Sequence, residues 1–359
     1  MTSGTTKRKR LAGNARSMGG SGESSGRPAT MKDVARRAGV AVSSVSRVLS
    51  GDPDVSHLMR NRVMDAVAAL GYQKDLIAQG MRSGATSSVG FMAVDIANPI
   101  IAAASAGAIR ELRNNGYSLL ISSSDGSTEL DADYIRSFQL RRVEGLLLSV
   151  ADEENPRTLA ALEQFPGAIV FMDRAFPRTI KASAVLYNHR SGMTEAVDHL
   201  LDLGHRKLAL INGAPRVRPA RERASAVRHA IKRVPDATVV VRGGSYSGAH
   251  GYEACKALMG SACPPTAIIV GGNQILRGVM AALVESGLRV PADVSLVTLD
   301  NVPLAEFISP SLACVTRDPV TMGTLGAELV LELINGGSPR TVELPTTFVR
   351  GASCGVPRA

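Results

Sequence analysis

Apolar residues change their spacing partway along this chain. Between Thr30 and Leu70 they recur every three or four positions, as Met31, Val34, Ala35 and Ala38, then Val45, Val48 and Leu49, then Leu58, Val63, Val67 and Leu70. That period puts each set on one side of an α-helix. Gly39 separates the first two sets and supplies the backbone freedom of a tight turn, while Gly71-Tyr72 closes a third helix expected over 55–70. Thr30 stands as an N-cap, with Asp33 three residues on to complete a capping box. From Val89 the pattern becomes short apolar runs at 89–94, 118–122, 145–150, 168–172, 208–211, 238–241, 267–270 and 294–299, with helical stretches between them. Such alternation predicts parallel sheets covered on both faces, in a number of strands that suits two α/β lobes.

Two short helices broken by a glycine form a helix-turn-helix, whose second helix fits the DNA major groove. On that helix Ser43, Arg47 and Ser50 share the face opposite the apolar stripe. Serine hydroxyls bond base edges or phosphates, and a guanidinium fork suits guanine or phosphate, so this face is equipped for DNA. Arg60 and Arg62 on the third helix are expected to reach the phosphate backbone. A generic three-helix bundle is the alternative for this segment taken alone.

Charge separates these readings. The 359 residues carry a net +9, and residues 1–82 hold 14 Lys/Arg against 6 Asp/Glu, whereas the remainder is almost balanced at 27 against 26. Cationic charge gathered at one end is the electrostatic footprint of a nucleic-acid binder. Residues 1–28 are rich in Gly, Ser and Thr, include Lys7-Arg-Lys-Arg10, and read as a disordered basic arm. That arm either adds nonspecific phosphate contact or is an unselected extension. The absence of a secretory signal and of an 18-residue apolar run leads us to expect a cytoplasmic protein with no membrane partner, and the DNA-binding reading makes the expected place the nucleoid. Cys255, Cys263, Cys314 and Cys354 lack metal-ligand spacing and are expected as buried reduced thiols, with no metal site. No catalytic site and no cofactor is expected either. A nucleotide-dependent enzyme is disfavoured because no Gly-x-Gly-x-x-Gly follows a strand, no Walker loop exists and no Ser/His/Asp arrangement is suggested. His205, before a strand, reads as turn structure.

Residues 73–87 form a linker with a short helix, in which Ile77, Ala78 and Met81 make an apolar face too small to fold alone. In the large domain, ligands of parallel α/β sheets sit beyond the carboxyl ends of strands. Asp173-Arg174, Arg221 and Asp300-Asn301 follow apolar runs or open a helix there, and converging carboxylates and guanidiniums suit the adjacent hydroxyls of a small polyol. Each taken singly is as readily a helix cap or an ion pair.

The segments Asp33-Val-Ala, Ala38-Gly-Val, Val45-Ser-Arg-Val and Leu70-Gly-Tyr resemble those of the LacI/GalR family of bacterial transcription regulators, and the resemblance runs from Ala29 to about Ser353. It implies a three-helix DNA-binding domain over 29–72, a hinge over 73–87, and a two-lobed periplasmic-binding-protein-like effector and dimerisation domain over 88–353. The implied lobes are 88–187 with 317–343, and 188–316 with 344–353, leaving a tail at 354–359; the crossings fall near Asn188, Arg317 and Leu344. The resemblance implies that Val42, Ser43, Ser46 and Arg47, with Ser44 beside them, meet the major groove of double-stranded operator DNA. It implies that Met81, flanked by Ala78 and Arg82, enters the minor groove. It further implies that Asp173, Arg174, Arg221 and Asp300 contact a sugar or sugar-acid effector, that Tyr246 forms an aromatic wall, and that Arg223 serves structure. Ala41 replaces a common capping serine and Ser50 a common asparagine, Lys74 replaces a frequent proline, and Gly80 weakens the hinge helix. Ile100 and Ile101 stand for an aromatic pair, Asn273 for an aspartate, and Leu276 for a small residue, which together imply a pocket that is narrower or suited to a less flat ligand than a pyranose. The reading is a homodimeric, ligand-responsive repressor; the alternative is a sugar-binding module with a non-functional DNA-binding head.

Overall fold

The computed structural model describes residues 27, 29–72, 86–300 and 309–358. They fall into two compact units, one ending at Leu76 and one beginning at Ile77. Ala78, Met81, Arg82 and Asn301, and the arm before Arg27, lie outside the described residues.

The first unit holds α1 (Met31–Ala38), α2 (Val42–Leu49) and α3 (His57–Leu70). Both halves of the Thr30–Asp33 capping box form: Asp33 N–H donates to Thr30 Oγ1 and Thr30 N–H to Asp33 Oδ2. Gly39 ends α1 in the left-handed region at φ +63°. Val34, Ala35, Ala38, Val45, Val48, Val63 and Ala66 are the core. Leu58, expected in that core, is instead 74% exposed. The cause is the helix start: Ser56 caps α3 at Met59 N, so Leu58 falls on the outer side of the first turn and Met59 packs inward. Ala41, in N-cap conformation, makes no side-chain cap bond.

The second unit builds two sheets. In chain order the first lobe uses β1 (Ser88–Ala93), α4 (Pro99–Asn114), β2 (Ser118–Ser123), α5 (Thr128–Leu140), β3 (Gly145–Leu148), α6 (Pro156–Glu163), β4 (Ala168–Met172) and β5 (Ser183–Asn188). The second lobe follows with α7 (His189–Asp202), β6 (Lys207–Asn212), α8 (Arg218–Ile231), β7 (Thr238–Gly243), α9 (Gly248–Met259), β8 (Ala267–Val270), α10 (Asn273–Glu285), β9 (Ser295–Leu299) and β10 (Ala313–Thr316). Then α11 (Pro319–Ile334) and β11 (Thr341–Pro345) return to the first lobe, and β12 (Thr347–Val349) crosses again.

The sheet orders are β11-β5-β4-β3-β1-β2, all parallel, and β12-β10-β9-β8-β6-β7, parallel except for the antiparallel β12 edge. Each first-placed βαβ step puts helices on both faces, so the central strands are buried throughout and read as unbroken apolar runs. The chain thus passes between sheets after Asn188, between Thr316 and Pro319, and at Thr346. Strands β5, β10, β11 and β12 are not among those predicted from the apolar runs of the sequence. β11 reads Thr-Val-Glu-Leu-Pro and β12 is only three residues long, so neither carries an apolar run, whereas β5 and β10 hold short ones at 184–187 and 313–315.

The chain stays with the second lobe past the boundary expected at 353. Ser353 Oγ donates to Leu296 O, and the Gly355 carbonyl sits 2.9 Å from His205 Nε2, whose ring is buried between Thr266 and Ser295. Cys255 and Cys314 are buried, but Cys263 is exposed beside the Lys207 amine, a departure from the expectation of four buried thiols. Leu276 points into the second-lobe core rather than narrowing a pocket, because it lies on the buried face of α10.

Candidate functional site

The first unit presents an exposed face on α2. Val42, Ser43, Ser46 and Arg47 are exposed and Ser44 is half-buried, while Val45 and Val48 anchor the opposite side. Arg60 is half-buried and Arg62 exposed, and each makes a contact within the unit. Arg60 Nη2 donates to Asp52 O at 2.9 Å, and Arg62 Nη2 donates to Ala38 O at 2.6 Å, filling the orphan carbonyl at the end of α1. These two arginines brace the turn and the loop after α2.

The second site lies where the lobes of the second unit meet. Asp173 follows β4 and Asp300 follows β9, and both are buried with positive φ, at +52° and +66°. Asp173 Oδ1 accepts from Tyr187 N and from Arg218 Nη1 at 3.0 Å, while Oδ2 is 2.9 Å from His189 Nε2 and 3.4 Å from Arg317 Nη1. Asp300 receives a fork from Arg317 at 2.6 and 2.8 Å. The Arg317 guanidinium also stacks 5.0 Å from the centre of the Tyr187 ring, so one arginine from the crossing segment ties both lobes.

Electrostatics follow from this packing. Burial pushes the His189 imidazole down to about 4, so the ring is neutral at ordinary pH. Burial alone would raise the Asp173 carboxyl, but the His189 hydrogen bond and the Arg317 and Arg223 guanidiniums hold it well below the usual carboxylate range. Burial lowers Arg223, whose hydrogen-bond acceptors among the described residues are neutral: Gly271 O at 2.8 Å, His189 Nδ1 and Tyr246 OH.

A second set of bonds clasps the lobes at the rim. The buried Glu153 accepts from Arg218 N at 2.7 Å and from Arg221 Nη2 at 2.6 Å, supplying the cap that Val217 cannot give α8. Gln274 Nε2 donates to Asp95 Oδ2 across the gap at 2.8 Å, and Arg216 Nε to Ala151 O.

The expected ligand residues are only partly brought together. Asp173, Asp300 and Tyr246 gather around Arg223, and Asn212 and Asn273 adjoin Gly213 and Gly272, the backbone that the Tyr246 ring covers. The Tyr246 ring lies so close over Gly213 that a Cβ there would fall 1.9 Å from it, and Asn212 Oδ1 and both polar atoms of Asn273 are buried without a partner among the described residues. Arg221, expected to contact the effector, lies at the rim, with a 42% exposed side chain bonded to Glu153 and Pro215 O. Arg223, assigned to structure, is the arginine inside; the two lie two residues apart on α8, so they point to different sides of it. Arg174 is buried and held by Val150 O and Asp173 O. Ile101 packs against the first-lobe core, and Ile100 sits half-buried in the first turn of α4, where Asn98 caps its N–H.

Sequence reasoning missed Glu153, His189, Arg218 and Arg317. Only Arg317 had a signal, as a cation between a short apolar run and the helix start Asp318-Pro319.

A helix-turn-helix head followed by two parallel α/β lobes meeting around a buried polar cluster defines a DNA-binding regulator with a periplasmic-binding-protein-like sensor domain. Residues 30–75 match the model for bacterial regulatory proteins of the lacI family, and residues 197–354 match that for the periplasmic binding protein-like domain. The chain is 30% identical over 311 residues to the ribose operon repressor of Escherichia coli (strain K12), covering 85% of this chain and 93% of that protein. It belongs to the lacI family of bacterial regulatory proteins. It is also 29% identical over 332 residues to the HTH-type transcriptional repressor PurR of Escherichia coli O139:H28 (strain E24377A / ETEC), covering 90% and 96% of the two chains. The crystal structure of the Lac repressor dimer bound to operator and the anti-inducer ONPF superposes with a TM-score of 0.80 at 25% identity, over 91% of this chain and 99% of that one.

Proposed function

We propose that this protein is a dimeric transcriptional repressor and not an enzyme, with an operator affinity that changes when a small polyhydroxy effector, a sugar or sugar acid, binds between the lobes. The observation that carries the effector reading is the set of buried polar atoms at and just beyond the carboxyl ends of β6 and β8 that lack a partner among the described residues, Asn212 Oδ1 and the Asn273 amide, beside Tyr246. Buried amides left unpaired are costly, and hydroxyls of a bound ligand complete them.

In this reading Tyr246 supplies an apolar wall, Asn273, Asn212 and Arg223 meet hydroxyls or an acid group, and Asp173 and Asp300 with Arg317 set the pivot. Val42, Ser43, Ser44, Ser46 and Arg47 read the major groove of the operator, and Met81 with Ala78 and Arg82 the minor groove. A second copy supplies the twofold match to an operator, which places the working protein on the nucleoid. The effector shifts lobe populations by its differential affinity, and the linkage is reciprocal: operator DNA changes effector affinity by the same factor.

The reading is tested by selecting preferred duplexes from a random DNA library with the full-length protein, then measuring binding with a panel of sugars and sugar acids. We expect one panel member to stabilise the large unit in a thermal melt and to change operator affinity. A melt shift with unchanged DNA affinity would support the sugar-binding module with an inert head.

A further inference from the structure

The DNA-reading face contains an acidic residue that its task does not explain. Arg47 Nε donates to Asp52 Oδ2 at 2.7 Å and Nη2 approaches Oδ1 at 3.4 Å, with Asp54 4.0 Å away. Asp52 is itself pinned: its Oδ1 accepts from Asp54 N, its carbonyl accepts from Arg60 Nη2, and its N–H donates to Arg47 O. The guanidinium is therefore oriented through a chain of contacts that begins on α3, although Arg47 is exposed.

A carboxylate at the end of a DNA-facing helix repels phosphate. The cost is large in proportion, because residues 29–72 carry only six Lys/Arg against four Asp. The geometry suggests what offsets it. Asp52 occupies the Nε–Nη2 edge of Arg47, and the Nη1–Nη2 edge makes no hydrogen bond among the described residues, with the exposed Asp54 carboxylate 4.0 Å from Nη2. That edge presents two parallel N–H donors, the pattern that matches guanine O6 and N7. A guanidinium already held in one orientation gives up less freedom on docking to a base, and one already neutralised is a poorer general phosphate anchor.

We infer that Asp52 is a specificity-determining positioning residue: it holds Arg47 for end-on reading of one base pair per half-site and suppresses its use as a nonspecific phosphate contact. The inference rests on the assignment of α2 to the major groove.

The experiment uses the full-length protein and the duplex it prefers from a random library. Affinities for every single-base-pair variant of that duplex, and for an unrelated duplex at two salt concentrations, are compared for wild type, Asp52→Asn, Asp52→Ala, Arg47→Ala and Arg47→Ala/Asp52→Ala. Arg47→Ala is expected to flatten the preference at one base pair of each half-site. Asp52→Asn, which keeps an acceptor for Asp54 N, is expected to reduce discrimination at that same base pair by on the order of tenfold. It is also expected to bind the unrelated duplex more tightly, with a steeper salt dependence. The double variant should discriminate no worse than Arg47→Ala alone.

Intact preference at that base pair in both Asp52 variants overturns the inference. So does an equal loss at all positions, which would mark a purely structural role. If Arg47→Ala itself leaves every preference unchanged, the α2 assignment fails and the inference falls with it, which separates the two failures.

Discussion

Asp173 and Asp300 occupy the same station in the two lobes. Each follows a parallel strand at positive φ, each donates its N–H to the neighbouring strand, to Val185 O and Val315 O respectively, and both receive Arg317. The left-handed region is uncommon for a non-glycine residue, though Asp is among those that adopt it, and here it turns both carboxylates toward the lobe junction. The carboxylates face a shared arginine on the crossing segment, so any change in the angle between lobes must be accommodated around Arg317.

Arg317→Gln is accordingly expected to leave two buried carboxylates short of charge and to destabilise the large unit by about 3–5 kcal/mol. Calorimetry should show a lower midpoint for its transition with the first unit unaffected. An unchanged midpoint would mean the Asp300 fork is replaced without cost.

Arg223 and Arg221 should separate in effector assays. Arg223→Gln is expected to weaken effector binding by tenfold or more, about 1.4 kcal/mol, while operator affinity without effector is retained. Arg221→Ala removes a rim clasp to Glu153 and should have a smaller effect on effector affinity. Titration by calorimetry would decide, and the reverse order of effects would make Arg221 the effector contact.

The buried His189 makes a pH prediction. Its folded value of about 4 lies below the ordinary 6.5, so the unfolded chain binds the proton first. Stability from the neutral ring is full above pH 6.5 and is lost as pH falls toward 4, by on the order of a few kcal/mol. Asp173, depressed from 3.8, adds its own loss only below that value. Melting the large unit across this range should show the decline, and His189→Gln should flatten it. An equal slope in the variant would assign the decline to His199 and His205, which burial also lowers.

Ala41→Ser tests the missing cap. Ala41 has φ −69° and ψ 151°, the extended geometry of an N-cap, and lacks only the hydroxyl. The substitution is expected to stabilise the head by about 1 kcal/mol. Chemical denaturation followed on the first unit measures it, and a neutral result would show that α2 is held by Val45 and Val48 packing alone.

Much of the architecture is legible along the chain. The capping box at Thr30 and Asp33, the turn at Gly39, and central strands such as Ala168–Met172 and Ala267–Val270 all carry local signals. Leu58 was misread because its apolar character fits the stripe while the cap at Ser56, one residue before the helix, sets which side it faces. Edge strands β11 and β12 carry no apolar run, because β11 alternates Val and Leu with Thr, Glu and Pro and β12 spans three residues, whereas the edge strands β2 and β7 keep Leu-Leu-Ile and Val-Val-Val.

What the sequence determined by itself is what nearest neighbours decide: helix periods, caps, strand interiors, and a reading helix with Ser43 and Arg47 on its outer face. What only the tertiary structure decided is which charges meet. Glu153 and Arg221 lie 68 residues apart, and Asp173 and Arg317 lie 144 apart. Local spacing holds no record of such partners, because the low-dielectric junction that couples them exists only once both sheets have folded and the chain has crossed between them.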